Sequence, residues 1–168
     1  MTSAQRAFDV GALAGRRIVL GVTGGIAAYK AVEVASRLKK AGADVRVVMT
    51  RAATSFVTPL TFREITGQPV AETMWGEPHH HVAHIALAAF AELVLVAPAT
   101  ANFIAKAAAG MADDMLTTFV LATRAPLIIA PAMNTGMWEN PVTQENVRRL
   151  TERGATIIPP AVGQLACG

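Results

Sequence analysis

The sequence is most constrained by a series of short apolar runs, rich in Val, Ile and Leu, that recur along the chain with helical stretches between them. Arg17–Val22 (RIVLGV), Val45–Met49, Leu93–Ala97 (LVLVA) and Leu127–Ala130 (LIIA) are such runs, and Thr156–Ile158 is a shorter one. They are largely apolar rather than alternating with polar residues. That is how strands read when buried on both faces, as in a parallel sheet. Residues at helical spacing fill the intervals: Ile26–Ala41 with a Gly42 stop, Pro59–Gly67, Ile85–Ala91, Ala101–Gly110, Asp113–Thr123 and Pro141–Arg153. The last has Pro at its start and Gly154 after its end, the usual asymmetry of helix termini.

Strands alternating with helices through right-handed crossovers give a doubly wound, three-layer α/β domain, Rossmann-like or flavodoxin-like in architecture. A length of 168 residues fits one such domain. Residues 1–15 read as a flexible lead and 16–168 as the domain. No apolar run reaches the roughly 18 residues of a membrane span, and Met1–Gly15 lacks the apolar centre of a secretory signal. The lone cysteine, Cys167, suits a reducing cytoplasm. The net charge of +3 comes without a Lys/Arg block or interleaved aromatics, so a small anionic ligand explains it as well as nucleic acid would. The chain stops directly after Cys167-Gly168, which suggests the front piece of a longer polypeptide.

In a doubly wound sheet, ligands bind beyond the carboxyl ends of the strands. The first strand runs into Gly21-Val22-Thr23-Gly24-Gly25-Ile26-Ala27-Ala28. Paired glycines at a strand-to-helix turn let backbone N–H groups approach an anion, and equally permit tight packing of helix on strand. The spacing is neither G-x-G-x-x-G nor a P-loop. The second strand ends in Met49-Thr50-Arg51, where a ribose-binding site would carry an acid. A hydroxyl and a cation suit a phosphate or a flavin edge better. The loop that follows, through Ser55 and Thr58, can ligate a phosphate or cap the next helix. After the third strong strand, Pro98-Ala99-Thr100-Ala101-Asn102 offers small residues that let a planar ring lie close, with Thr100 also a natural N-cap. After the fourth, Asn134 in Pro131-Ala132-Met133-Asn134-Thr135-Gly136-Met137-Trp138 can grip a carboxylate without adding charge, or form a turn.

His80 and His84 have the i, i+4 spacing of zinc ligands, but Pro78 and the lack of acidic or thiol partners nearby argue against a metal. His84 opens the helix Ile85–Ala91 and is the imidazole best placed to act as a base; His79, His80 and His81 read as exposed loop residues. Cys167, flanked by Gly163 and Gly168 in a mobile segment, reads as exposed and chemical rather than as a buried small hydrophobe.

Together these segments resemble the homo-oligomeric flavin-containing cysteine decarboxylases, over about Arg16–Gly168. The family's P-A/x-S/T-A-N motif is matched by Pro98–Asn102, and its P-x-M-N-x-x-M-W motif by Pro131–Trp138. His84 stands where the family carries a histidine, just before the helix leading to the third strong strand. The opening from Gly21 to Lys30 (GVTGGIAAYK) looks like the coenzyme A branch, the phosphopantothenoylcysteine decarboxylases.

The resemblance implies FMN, held by Gly24, Gly25, Ile26 and Ala27, by Thr50 and Ser55, and by Ala99, Thr100, Ala101 and Asn102. It implies His84 as catalytic base, Asn134 as the holder of the substrate carboxylate, and Met133 and Ala166 lining the substrate pocket. Cys167, in the A-C-G of a substrate-covering clamp, would be the proton donor. The implied reaction is redox-neutral decarboxylation of 4′-phosphopantothenoylcysteine to 4′-phosphopantetheine through a thioaldehyde and an enethiol. The implied assembly is built from trimers, a dodecamer in many bacterial members, with a fused or associated CTP-dependent phosphopantothenoylcysteine synthetase. Three alternatives remain open: an oxidative decarboxylase of a peptide C-terminal cysteine, which stops at the enethiol, a non-catalytic flavoprotein regulatory subunit, and a plain α/β binding module. A flavin prenyltransferase matches the polar loops less well.

Overall fold

The structure is a computed structural model that describes residues 11–75 and 83–160. A six-stranded, wholly parallel sheet forms its middle layer, in the order β3-β2-β1-β4-β5-β6. The strands are β1 (Arg17–Val22), β2 (Asp44–Met49), β3 (Val70–Ala71), β4 (Leu93–Ala99), β5 (Leu127–Pro131) and β6 (Thr156–Ile157). The helices are α1 (Ala28–Lys40), α2 (Pro59–Thr66), α3 (Ala83–Phe90), α4 (Ala101–Ala109), α5 (Met115–Ala122), the short α6 (Thr135–Trp138) and α7 (Pro141–Glu152). This is the doubly wound fold expected from the alternating apolar runs.

Each strand sends successive side chains to opposite faces, so two cores form. On one face Ile18, Leu20, Val22, Val45, Val47 and Met49 pack with Ala28, Ala31 and Ala35 of α1 and Phe62 of α2. On the other, Val19, Val48, Val94, Val96 and Ile129 pack with Leu87 of α3, Phe103 and Ile104 of α4, Leu116 and Phe119 of α5, and Leu150 of α7. The first face is covered only in part. On β4, Leu93, Leu95 and Ala97 are half-buried while Val94 and Val96, which face the other way, are fully buried. Ile128 and Ala130 of β5 are half-buried too. Among the described residues, α1 and α2 are the helices on this face, and they lie over the β1–β2–β3 side.

Local chemistry sets the element ends. Arg37, Lys39 and Lys40 lie in the last turn of α1, where the helix dipole favours cations, and Gly42 follows at φ 91°. α2 begins with Pro59 and ends before Gly67 at φ 69°. The first helix starts two residues later than its sequence pattern indicates, because Ala28 N–H donates to the Gly25 carbonyl at 2.9 Å and leaves Gly24–Ala27 as a turn. α5 starts at Met115 rather than Asp113. Asp114 is its N-cap, with Oδ1 accepting from the Thr117 amide at 2.8 Å in a reciprocal capping box. β4 continues two residues beyond Ala97, past a cis Ala97–Pro98 bond, with a register shift against β5. Leu13 N–H and Gly15 N–H donate to the Ala41 and Gly42 carbonyls at 2.9 and 3.0 Å. The described end of the expected lead is thus tied to the α1–β2 connection.

Candidate ligand cleft at the switch point

β1 lies between β2 and β4, and the chain winds away from it in opposite directions on either side. Loops after β1 and β4 therefore diverge to opposite faces and leave a crevice between them. Thr23 joins these loops. It is 1% exposed, its Oγ1 donates to the Pro98 carbonyl at 2.7 Å, and it accepts from the Thr100 amide at 3.0 Å. Thr100 in turn caps α4, its Oγ1 accepting from the Phe103 amide at 3.3 Å. Gly24 fixes the approach of the β2 loop. A Cβ there would stand 2.4 Å from the Ala52 Cβ and 2.7 Å from its carbonyl carbon. Only a residue without a side chain fits.

Two adjoining cavities result, with Thr100 in the wall of both. The larger, about 580 Å³, lies between α1 and the loops after β4 and β5. Gly24, Gly25, Ala27, Ala31, Ala97, Ala101, Ala130 and Ala132 line it together with Met133 and Asn134. A lining made mostly of small residues suits a flat, largely apolar group. Asn134 is exposed at the start of α6, where its Oδ1 accepts from the Gly136 amide at 2.8 Å and leaves the amide N–H groups to donate elsewhere.

The smaller cavity, about 230 Å³, is the more polar of the two. Thr50, Arg51, Ala52 and Asn102 line it together with Lys106 and Asp114. It sits at the N-terminus of α4, whose dipole favours an anion. Lys106 reaches both carboxylate oxygens of Asp113 at 2.8 Å and Asp114 at 3.4 Å. These partners raise the Lys106 pKa above its ordinary value, and Lys106 in turn lowers that of Asp113. Arg51 has no such carboxylate partner among the described residues.

Of the residues singled out from sequence, Gly24, Gly25, Ile26, Ala27, Thr100, Ala101, Met133 and Asn134 line the larger cavity. Thr50 and Asn102 line the smaller. Ala99 is buried beneath them, and Ser55 is exposed in the 3-10 turn Ala53–Ser55 without lining either cavity. His84 is half-buried in the first turn of α3 and lines neither. α3 packs on the opposite face of the sheet from α1. His79, His80, His81, Ala166 and Cys167 lie outside the described residues. Thr23, Lys30 and Ala52 were not marked by the sequence. A single hydroxyl beside paired glycines has no recognisable pattern, whereas Lys30 and Val34, one helical turn apart in α1, form a pair that could have been read.

The fold and its cleft define a doubly wound α/β protein with a cavity at the topological switch point. The model of the flavoprotein family matches residues 10–168, and the chain belongs to that family. It is similar to the coenzyme A biosynthesis bifunctional protein CoaBC of Vibrio vulnificus, with 52% identity over 157 residues. The same protein of Escherichia coli is 50% identical over 158 residues. In both cases 93% of this chain is matched, and the chain spans 39% of the length of the relative. Among solved structures, the FMN-dependent cysteine decarboxylase SpaF superposes with a TM-score of 0.82 at 40% identity, covering 88% of this chain and 85% of that one. A PPC decarboxylase mutant complexed with pantothenoylaminoethenethiol superposes with a TM-score of 0.80 at 34% identity, covering 92% and 87%.

Proposed function

We propose that the chain is an FMN-dependent decarboxylase of 4′-phosphopantothenoylcysteine, the decarboxylase portion of a coenzyme A biosynthetic protein. The observation that carries the reading is the paired cavity: a recess lined by small residues for a flat ring, and beside it, with Thr100 in the wall of both, a more polar recess at a helix N-terminus for a phosphate. The residues present fit FMN. Gly25, Ala97 and Ala101 leave room for the ring system, and Thr50, Arg51 and Asn102 supply a hydroxyl, a cation and an amide for its phosphate. The relatives' names point to the same chemistry.

FMN held by these residues would supply two-electron redox chemistry at the carbon bearing the substrate thiol, reversible so that decarboxylation is redox-neutral overall. The protein's own work is positioning and proton transfer. Asn134 at the cleft mouth donates its amide N–H groups to the departing carboxylate. Met133 packs beside it. His84 takes a proton from the substrate, Ala166 contributes to its pocket, and Cys167 returns a proton to give the saturated thiol. His84 belongs to the opposite face of the sheet, so a second copy would bring it to the cleft. The half-buried apolar face formed by Leu93, Leu95, Ala97, Ile128 and Ala130 supports such an assembly, which we take to be trimer-based. No described helix is long and apolar enough to cross a membrane. We assign the protein to the cytoplasm, with a CTP-dependent synthetase as fused or associated partner.

Anaerobic turnover of 4′-phosphopantothenoylcysteine by the flavin-loaded chain, with products read by mass, tests the assignment. The expected product is 4′-phosphopantetheine, and Cys167→Ser should accumulate a species two hydrogens lighter. The likeness to SpaF favours a second reading, oxidative decarboxylation of a peptide C-terminal cysteine. It prevails if only such a peptide is consumed and the intact chain stops at the lighter product.

A further inference from the structure

Among the described residues lining the larger cavity, Lys30 alone carries a charge. Lys30, Ala31 and Val34 of α1 line it, with Ile26 in the turn just before the helix, so the first two turns of α1 bring a cation to the cleft. The position is unfavourable for a lysine. The first turn of a helix carries partial positive charge and favours acids, yet the first turn of α1 has no acid and does have Lys30. Nor is the charge neutralised locally. Glu33, the one acid of α1, accepts from Arg37 Nε at 3.0 Å. Among the described residues the Lys30 ammonium has no ion pair or hydrogen bond, and its Nζ lies 5.9 Å from the Tyr29 ring centroid. Lys106, in the neighbouring cavity, is by contrast held by two aspartates.

An exposed ammonium without a carboxylate partner, beside an apolar cleft, can donate to a ligand anion. We propose that Lys30 binds the phosphate of the substrate and so sets the preference for a phosphorylated pantothenoylcysteine over an unphosphorylated thiol or a peptide. This rests on the decarboxylation proposed above. The cofactor and the substrate each bring a phosphate, and the two cavities each offer a cation, Arg51 in one and Lys30 in the other. Thr100 stands between them. Asn134, in the same cleft as Lys30, is neutral, so the charge on the cleft wall is left for the phosphate rather than for the carboxylate.

The test compares kcat/KM for 4′-phosphopantothenoylcysteine and for pantothenoylcysteine, by carbon dioxide release, in the flavin-loaded chain, Lys30→Gln and Lys30→Arg. The wild type should prefer the phosphorylated compound. That preference should fall roughly 10- to 100-fold in Lys30→Gln, mainly through KM, and return largely in Lys30→Arg. Rising salt should compress the preference in the wild type and leave the small residual preference of Lys30→Gln nearly flat. A preference equal in wild type and Lys30→Gln, or none in the wild type, overturns the role of Lys30. A wild type that consumes neither compound overturns the decarboxylation itself, which is a distinguishable result.

Discussion

Replacing Thr23 by valine removes one oxygen and keeps the shape of the side chain. In the structure that oxygen donates to the Pro98 carbonyl at 2.7 Å and accepts from the Thr100 amide at 3.0 Å, at a position almost wholly shielded from water. The Pro98 carbonyl keeps a second donor, the Thr23 amide at 3.2 Å, but the Thr100 amide loses its partner. Two hydrogen bonds at about 1 kcal/mol each, with some extra cost for the orphaned amide, give about 2–3 kcal/mol of destabilisation. For a chain of this size that is a fall in Tm of roughly 4–12 °C. Thr23→Ser keeps the hydroxyl and loses one methyl group, a change of about 1 kcal/mol. Urea unfolding of the apo-protein measures both variants, and quenching of FMN fluorescence measures affinity. The affinity should fall for Thr23→Val, because Thr100 borders both cavities. A valine variant within 0.5 kcal/mol of wild type, or a serine variant that loses as much as the valine, would refute the reasoning.

Two further outcomes follow from the geometry. Gly24→Ala should cost about 1–3 kcal/mol and weaken FMN binding, because its Cβ would meet the Ala52 backbone; Gly25→Ala, whose Cβ meets only the Thr100 Cγ2 at 3.6 Å, should unfold near the wild-type urea midpoint. Lys106 and Asp113 stabilise each other only while both are charged. Asp113, held below its ordinary 3.8, contributes stability above that value and loses it as pH falls through its lowered pKa; Lys106, raised above 10.5, contributes below that value and loses it as pH rises through its raised pKa. Lys106→Met should therefore lower the urea midpoint between about pH 5 and 9 and converge on the wild type in strong acid. A constant difference down to pH 2 would assign the effect to packing.

The layers of the fold were legible because Val, Ile and Leu runs such as Leu93–Ala97 have few other ways to be buried. Helix ends were readable where glycine or proline punctuates the chain, as at Gly42, Pro59 and Gly67. The two-residue β3 was not, since Val70–Ala71 is too short to show a period and owes its state to β2 beside it. The four-residue α6 likewise depends on the Asn134 cap more than on its own sequence. The cleft was legible in its loops, because ligands gather at the carboxyl ends of parallel strands, and Pro98–Asn102 and Pro131–Trp138 stand there. Its closure by Thr23, and the tight seat of Gly24 on Ala52, depend on which strands become neighbours. That order is set by the whole sheet and leaves no trace in the local sequence. The same holds for the second cavity, whose lining brings together Lys106 and Thr50, some fifty-six residues apart in the chain.

The cleft walls come from three stretches, after β1, β4 and β5, that meet only when the sheet is complete. No partly folded chain can offer them together, so the flavin is a ligand of the native state alone. By mass action such a ligand at a hundred times its dissociation constant adds about 2.7 kcal/mol to the free energy of unfolding. That is a sizeable share of the roughly 5–15 kcal/mol that keeps a typical domain folded. Cofactor supply would then act on the lifetime of the protein as well as on its turnover. A cell short of riboflavin would hold fewer copies of this chain, because the apo-form opens more often to proteolysis.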